Sequence, residues 1–254
     1  ANSLTDILNT IPGLGVTQSN LFLKEIEARG IKDWFSKQVL FLVDGHPLDA
    51  NFINGGATWS FTDMHLHNVK RIEVIKGPAS SLYGANAFTA LINIITKSAS
   101  DVDGLETVLK TGSYNTNEAN ILYRKRYKNF SLVANLNVSD TNGNDHKVNV
   151  DASGNSGNIN PYGKRIKADL KLDINNFYFT SSIFKREDGP HYGAASNIND
   201  ETLTKNNYLY SELGYTNSYY DGLNIKSKVY YDRYRFDNTW EIDDSRKMIN
   251  RVVN

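Results

Sequence analysis

The chain has 254 residues, and its 28 Lys+Arg balance 28 Asp+Glu, so no global field draws it to nucleic acid or an anionic surface. It has no cysteine, which excludes disulfide staples, a thiolate nucleophile and cysteine-based zinc sites; its five histidines, single apart from one pair, do not suggest a metal cage. A mean hydropathy of −0.47 argues for a soluble protein, unless a membrane is crossed by strands that alternate lipid-facing and lumen-facing residues. Apolar runs such as residues 39–43 are far short of the ~20 residues a membrane helix needs. Ala1 leads straight into Ser3 with no basic start or apolar core segment, so a processed chain, or one without its leader, is expected.

In chain order, Ser3 is placed to cap a first helix, with Asp6 three residues later. Leu4, Ile7, Leu8 and Ile11 form its apolar stripe, and Pro12-Gly13 stops it. Residues 24–28 alternate as a half-buried strand does. Residues 38–43 read as a fully buried strand, turned by Asp44-Gly45. Residues 71–97 read as strand, tight turn at Gly77-Pro78, one helical turn closed by Tyr83-Gly84, and a second strand. Ile72, Val74, Leu91, Ile92, Ile94 and Ile95 supply β-branched and apolar material for a buried sheet. One helix with several short strands makes a small α+β domain.

The composition changes near residues 98–104, and strand-like segments then alternate with polar loops to the end. Residues 165–174 alternate without a fault, Ile166, Ala168, Leu170, Leu172 and Ile174 against Arg165, Lys167, Asp169, Lys171 and Asp173. Residues 130–138 do the same, and 223–231 more loosely. Ten such residues, tilted ~45°, climb about 23 Å, close to the ~25 Å apolar band of an outer-membrane barrel. Connections at 127–129, 175–176 and 217–222 are short, whereas 140–164 and 187–204 are long and rich in Asn, Ser, Gly and Asp. That asymmetry is the one outer-membrane barrels have. Roughly seven strands are expected from about Leu105, with an eighth opening at 246–253. Tyr208, Tyr210, Tyr215, Tyr219, Tyr220, Tyr230, Tyr231 and Tyr234 read as clustered near strand ends, where an interfacial girdle lies. Alternation alone leaves open a soluble sandwich with one wet face.

The wording RIEVIKGPASSLYGANAFTALINIITK at 71–97 resembles the signature that ends the plug domain of TonB-dependent outer-membrane receptors. The resemblance continues upstream in SLTDILNTIPGLGV at 3–16, the ARG at 28–30 and VLFLVDGHPLD at 39–49, in the family's order and spacing. It covers roughly the first hundred residues. It departs from the family at Phe88-Thr89-Ala90, where small glycine-rich residues are usual. The family's energy-coupling box is expected upstream of the first helix, where this chain begins. The fold class implied is an α+β plug domain (1–100) followed by antiparallel transmembrane β-barrel strands (101–254), an incomplete barrel of the 22-stranded plugged type.

By the same resemblance, the parent protein binds a scarce nutrient of the ferric siderophore, haem or cobalamin class and imports it through plug movement driven by the TonB energy-coupling protein. Its place is the Gram-negative outer membrane, among membrane lipid and the remaining barrel strands. Arg29 and Arg71 fall at motif positions whose guanidinium groups hold the plug to wall glutamates, which a bidentate contact suits. Apical plug loops imply ligand contacts from Trp34, Phe35, Asn51, Phe52, Asn54 and Trp59, aromatic surface beside adaptable hydrogen-bonding groups. Burial beneath those loops is the alternative for the aromatics, and a solvated strand end for the arginines. His65 and His67 point the same way on an extended segment, but no third ligand is evident, and His46 reads as a turn residue.

No G-x-S-x-G elbow, P-loop, H-E-x-x-H or cysteine nucleophile supports catalysis, so neither an enzyme nor a cofactor is expected, and the alternating charge at 123–128 does not suit nucleic acid. Two rivals stay open. One is an outer-membrane binding or adhesion module that uses its long loops without transport. The other is a soluble β-rich enzyme, which requires a pocket of perturbed titratable groups.

Overall fold

Ser3 forms a capping box with Asp6: its hydroxyl accepts from the Asp6 amide while the Asp6 carboxylate accepts from the Ser3 amide at 3.1 Å. The helix so started, α1 (Leu4–Leu8), is shorter than the apolar stripe suggests. Pro12 disfavours helical backbone at Ile11, and Thr10 Oγ1 donates to the Ile7 carbonyl at 2.7 Å, so the chain turns early. This computed structural model describes residues 3–18, 24–32, 36–48, 64–78, 83, 86–101, 103–190, 197–219, 222–243 and 246–253. Its two units are Ala1–Lys97 and Ser98–Asn254.

In the first unit, β1 (Leu14–Gln18) and β2 (Lys24–Ala28) form an antiparallel pair. The main sheet consists of β3 (Val39–Val43), β4 (His46–Pro47), β5 (Val69–Lys76) and β6 (Ala90–Thr96), in the order β4-β3-β6-β5. β3 runs parallel to β6 and is buried along most of its length, as its unbroken apolar run requires. Leu40, Leu42, Ala87 and Leu91 form one core cluster of this sheet. Asp44 and Gly45 take φ of 51° and 82°, the two-residue turn that suits hairpin twist. The Asp44 carboxylate then accepts from the Thr96 amide at 2.9 Å and its hydroxyl at 2.8 Å, tying the hairpin to the end of β6. His46 lies in β4 and is buried rather than sitting in the turn. Of the helical turn expected before Gly84, only Tyr83 is among the described residues, and it is helical.

The second unit is built on one antiparallel sheet. Its strands are β7 (Gly104–Gly112), β8 (Thr116–Arg126) and β9 (Phe130–Thr141), then, after a small hairpin of β10 (His146–Val148) and β11 (Gly157–Ile159), β12 (Tyr162–Ile174), β13 (Phe177–Gly189), β14 (Leu203–Ser218), β15 (Asn224–Asp243) and β16 (Arg246–Val253). Eight of them pair in the order β16-β15-β14-β13-β12-β9-β8-β7, a meander in which every neighbour is antiparallel. The expected eighth strand is therefore present. No helix among the described residues is long and apolar enough to cross a membrane.

Two sequence expectations change. The strands run further into the long connections than their alternation indicated, with β15 reaching 20 residues, and the loop after β9 carries the β10–β11 hairpin. Because β14 and β15 are long, Tyr208, Tyr210 and Tyr234 sit mid-strand, buried on the same face as Asn206 and Glu212, and are not an interfacial girdle. Tyr215 and Tyr231 point to the opposite face, while Tyr220 lies outside the described residues.

Candidate functional site

The sheet of the second unit reverses the burial of a water-soluble protein. Register fixes the faces: Leu105, Ile121, Leu136, Ala168, Ile183, Leu209 and Val229 share one side with Leu109, Leu132, Ile166, Ile174, Phe177 and Leu213. On that apolar side Leu109 and Val229 are 77% and 76% exposed, whereas on the other side Asn120 and Asn206 are 1% exposed. Covered polar groups behind an open apolar face fit a strand layer whose outer solvent is hydrocarbon. A soluble sandwich requires the opposite, since its apolar faces must meet each other.

The inner face carries a polar lattice. Asp169 accepts from Asn135 Nδ2 at 3.0 Å and from Ser182 Oγ at 2.7 Å. Asn137 Nδ2 donates to Glu118 at 3.0 Å, and Arg165 and Arg186 both reach Asp188, the former at 3.3 Å. Further round, Glu212 gathers Tyr178 Oη at 2.8 Å, Tyr210 Oη at 2.7 Å and Lys228 Nζ at 2.9 Å. Tyr208 donates to Asp232 and Tyr234 to Asn206, both at 2.9 Å. Gly214 makes room for this cluster, since a Cβ there would land on the Tyr178 ring. The wall thus presents fixed donors, acceptors and charges along its inner surface. Sequence reading missed the Glu212 cluster; the alternation of Tyr208, Tyr210 and Glu212 was the available signal.

In the first unit, Arg29 occupies left-handed backbone, φ 58°, in a two-residue turn with Gly30, and Ala28 bridges Ile31 across it. Its amide donates to the Gly13 carbonyl at 2.8 Å, so the turn after β2 is stitched to the residue before β1, and the Arg29 side chain is exposed. Arg71, on the edge strand β5, pairs with Glu73 at 2.8 Å, both about half exposed. Glu25 is buried in β2 and lies 3.7 Å from Lys32. The rings of His65 and His67 stack 6.4 Å apart. Trp34, Phe35, Asn51, Phe52, Asn54 and Trp59 lie outside the described residues.

Beyond the sheet, Asp151 organises the long-loop side. Its carboxylate accepts from the amides of Ser153 and Asn155 at 2.8 Å and of Ile198 at 3.1 Å, joining the β10–β11 hairpin to the next loop. Burial pushes this carboxyl up, but the main-chain N–H groups of Asn155, Ile198 and Ser153 outweigh that and hold it below the usual carboxylate range.

A small α+β unit followed by an antiparallel sheet with one apolar, exposed face and one polar, covered face is the architecture of a plug domain with part of a β-barrel wall. Residues 1–91 match the TonB-dependent Receptor Plug Domain family. The vitamin B12 transporter BtuB of Vibrio vulnificus (strain CMCP6) is 38% identical over 135 residues, 51% of this chain and 20% of that protein. In fold, the chain is similar to the pyoverdine outer membrane receptor FpvA of Pseudomonas aeruginosa PAO1, with TM-score 0.72, 16% identity, and coverage of 94% of this chain and 36% of that one. It is also similar to the ferric-catecholate import receptor Fiu of E. coli K12, with TM-score 0.70, 17% identity, and coverage of 100% and 41%. Residues 1–91 thus match a plug domain, and the chain as a whole has the fold of the plug and opening barrel strands of such receptors. Its match spans a fifth of the length of that vitamin B12 transporter.

Proposed function

We propose that the whole protein captures a scarce nutrient of the ferric siderophore, haem or cobalamin class at the cell surface and imports it by energy-coupled movement of the plug. The observation that carries this reading is the plug-family match over residues 1–91, in one chain with a sheet whose apolar face is outward. Under it, residues 1–100 are the plug and 101–254 the first part of the wall. No covalent chemistry is involved: binding outside is followed by gated release inside. The TonB protein supplies the coupling from the inner membrane.

The same reading gives Trp34, Phe35, Asn51, Phe52, Asn54 and Trp59 to ligand contact, and Arg29 and Arg71 to holding the plug in the lumen. Exposure of the Arg29 side chain and the half exposure of Arg71 leave both guanidinium groups in reach of a further carboxylate. The test is uptake by cells carrying the full-length protein, using labelled ferric chelates, haem and cobalamin with and without a protonophore. Accumulation that the protonophore abolishes, with surface binding retained, is expected. Surface binding with no accumulation of any of the three classes refutes import.

A further inference from the structure

We propose that a hollow at the short-connection end of the second unit binds a carboxylate-bearing amino-sugar peptide, the repeating unit of the cell-wall polymer. The proposal goes beyond nutrient import. It rests on the outer-membrane reading only for its location, since short barrel turns face the periplasm, where that polymer lies.

The hollow, of about 520 Å³, lies wholly within the second unit and has three walls. These are the turn between β8 and β9, the turn between β12 and β13, and residues 98–100. Each wall is tied down. The Asn175 amide donates to the Asn129 carbonyl at 3.0 Å, which stitches the two turns together. Ala99 joins Leu122 and Val133 in a buried cluster. The Ser98 amide and hydroxyl both donate to Asp101, at 2.7 Å and 2.9 Å, which curls that segment. A hollow held by such ties is formed before a ligand arrives.

Its chemistry selects the ligand. Hydroxyls and carboxamides from Ser100, Ser131, Asn129 and Asn176 line it, which suits hydroxyl and acetamido groups rather than an acyl chain. Register sets Arg126, Ser131 and Asp173 side by side on the polar face. Ser131 Oγ donates to Asp173 at 2.5 Å, while Asp103 accepts from Lys125 at 3.2 Å and from the Arg126 amide at 2.9 Å, so the neighbouring acids are engaged. The Arg126 guanidinium and the Lys128 ammonium are exposed and have no ion pair among the described residues. Two such cations ask for an anion, and Asp173 beside them disfavours a dianion such as phosphate; a carboxylate fits, held by the guanidinium through two bonds. The Tyr127 ring, 57% exposed and 5.9 Å from the Phe130 ring between centroids, adds aromatic surface for the apolar side of a sugar. Acetamido sugars joined to a short peptide with free carboxylates offer all three features.

The test titrates detergent-solubilised full-length receptor with N-acetylglucosaminyl-N-acetylmuramyl-tetrapeptide, the free tetrapeptide, and the carboxylate-free disaccharide di-N-acetylchitobiose, with inorganic phosphate as competitor, read by isothermal titration calorimetry. Arg126→Gln and Lys128→Gln should each weaken binding of the glycopeptide about five-fold. Asp173→Asn removes a like charge and should tighten it about three-fold, an outcome that a misfolded protein cannot give. Chitobiose and the free tetrapeptide are each expected to bind at least ten-fold more weakly than the glycopeptide. No binding of the glycopeptide, equal binding of chitobiose, displacement by phosphate, or weaker binding by Asp173→Asn overturns the proposal. Equal binding of the free tetrapeptide overturns it too, and would assign the hollow to an acidic peptide. None of these readings depends on transport, so their failure leaves nutrient import standing.

Discussion

Placing an arginine in the middle of the outward apolar face measures what solvent that face meets. Leu170 is the central outward residue of the 166–174 stretch of β12, with Ala134 and Ser181 opposite it on β9 and β13. Those small neighbours leave room for a longer side chain, so steric cost is minor. Four residues separate it from either end, about 13 Å along the strand and about 9 Å of depth at a ~45° tilt. An arginine near the midplane of a barrel's lipid face costs ~2–4 kcal/mol, falling to ~0–1 kcal/mol near the interface. Leu170→Arg should therefore destabilise the full-length protein by about 3 kcal/mol, and Ile166→Arg, at the band edge, by about 1 kcal/mol or less. The assay is reversible guanidinium unfolding in vesicles followed by tryptophan fluorescence. If water bathed this face, both changes would stay within about 0.5 kcal/mol of the parent. Equal costs at the two depths, or none at either, would refute the lipid-facing assignment.

Glu212→Ala removes the acceptor of Tyr178 and Tyr210 and the partner of Lys228, and charge-assisted bonds of this kind contribute ~1.5–3 kcal/mol each before solvent discounts them. A net loss of about 3 kcal/mol is expected in the same unfolding assay, with Glu212→Gln costing about half; a Gln variant as damaged as Ala contradicts the account. Gly214→Ala should cost about 1–3 kcal/mol, because the new methyl displaces the Tyr178 ring, and Tyr178→Ala in the same chain should relieve that clash. In the first unit, Asp44→Ala loses both bonds to Thr96 and should lower stability by about 1–3 kcal/mol, seen as faster amide exchange at Thr96. Asp151 gives a pH signature: its folded carboxyl titrates below its unfolded value of ~3.9, so its contribution is complete above that value and is lost as pH falls through the lower folded one. Proteolysis of the loops around 151 and 198 should accelerate across that acid window, and Asp151→Asn should flatten the dependence.

Local signals were readable where one residue type has one physical use. The Ser3–Asp6 box, the Asp44-Gly45 turn and the fault-free alternation of 165–174 each named their structure, because caps, left-handed turns and pleats depend on near neighbours alone. The wording of 3–16, 28–30, 39–49 and 71–97 likewise carried the family. Alternation could not say which face is covered, since lipid and protein core ask for the same apolar residues; only the register of eight strands and the exposure of Leu109 and Val229 decided it. The same limit misplaced the tyrosines: whether Tyr208, Tyr210 and Tyr234 sit at a strand end or mid-wall depends on how far β14 and β15 continue pairing. The meeting of Tyr178, Tyr210 and Lys228 on Glu212 brings together residues up to 50 apart in the chain. Strand register, a property of the folded sheet, is what makes them neighbours.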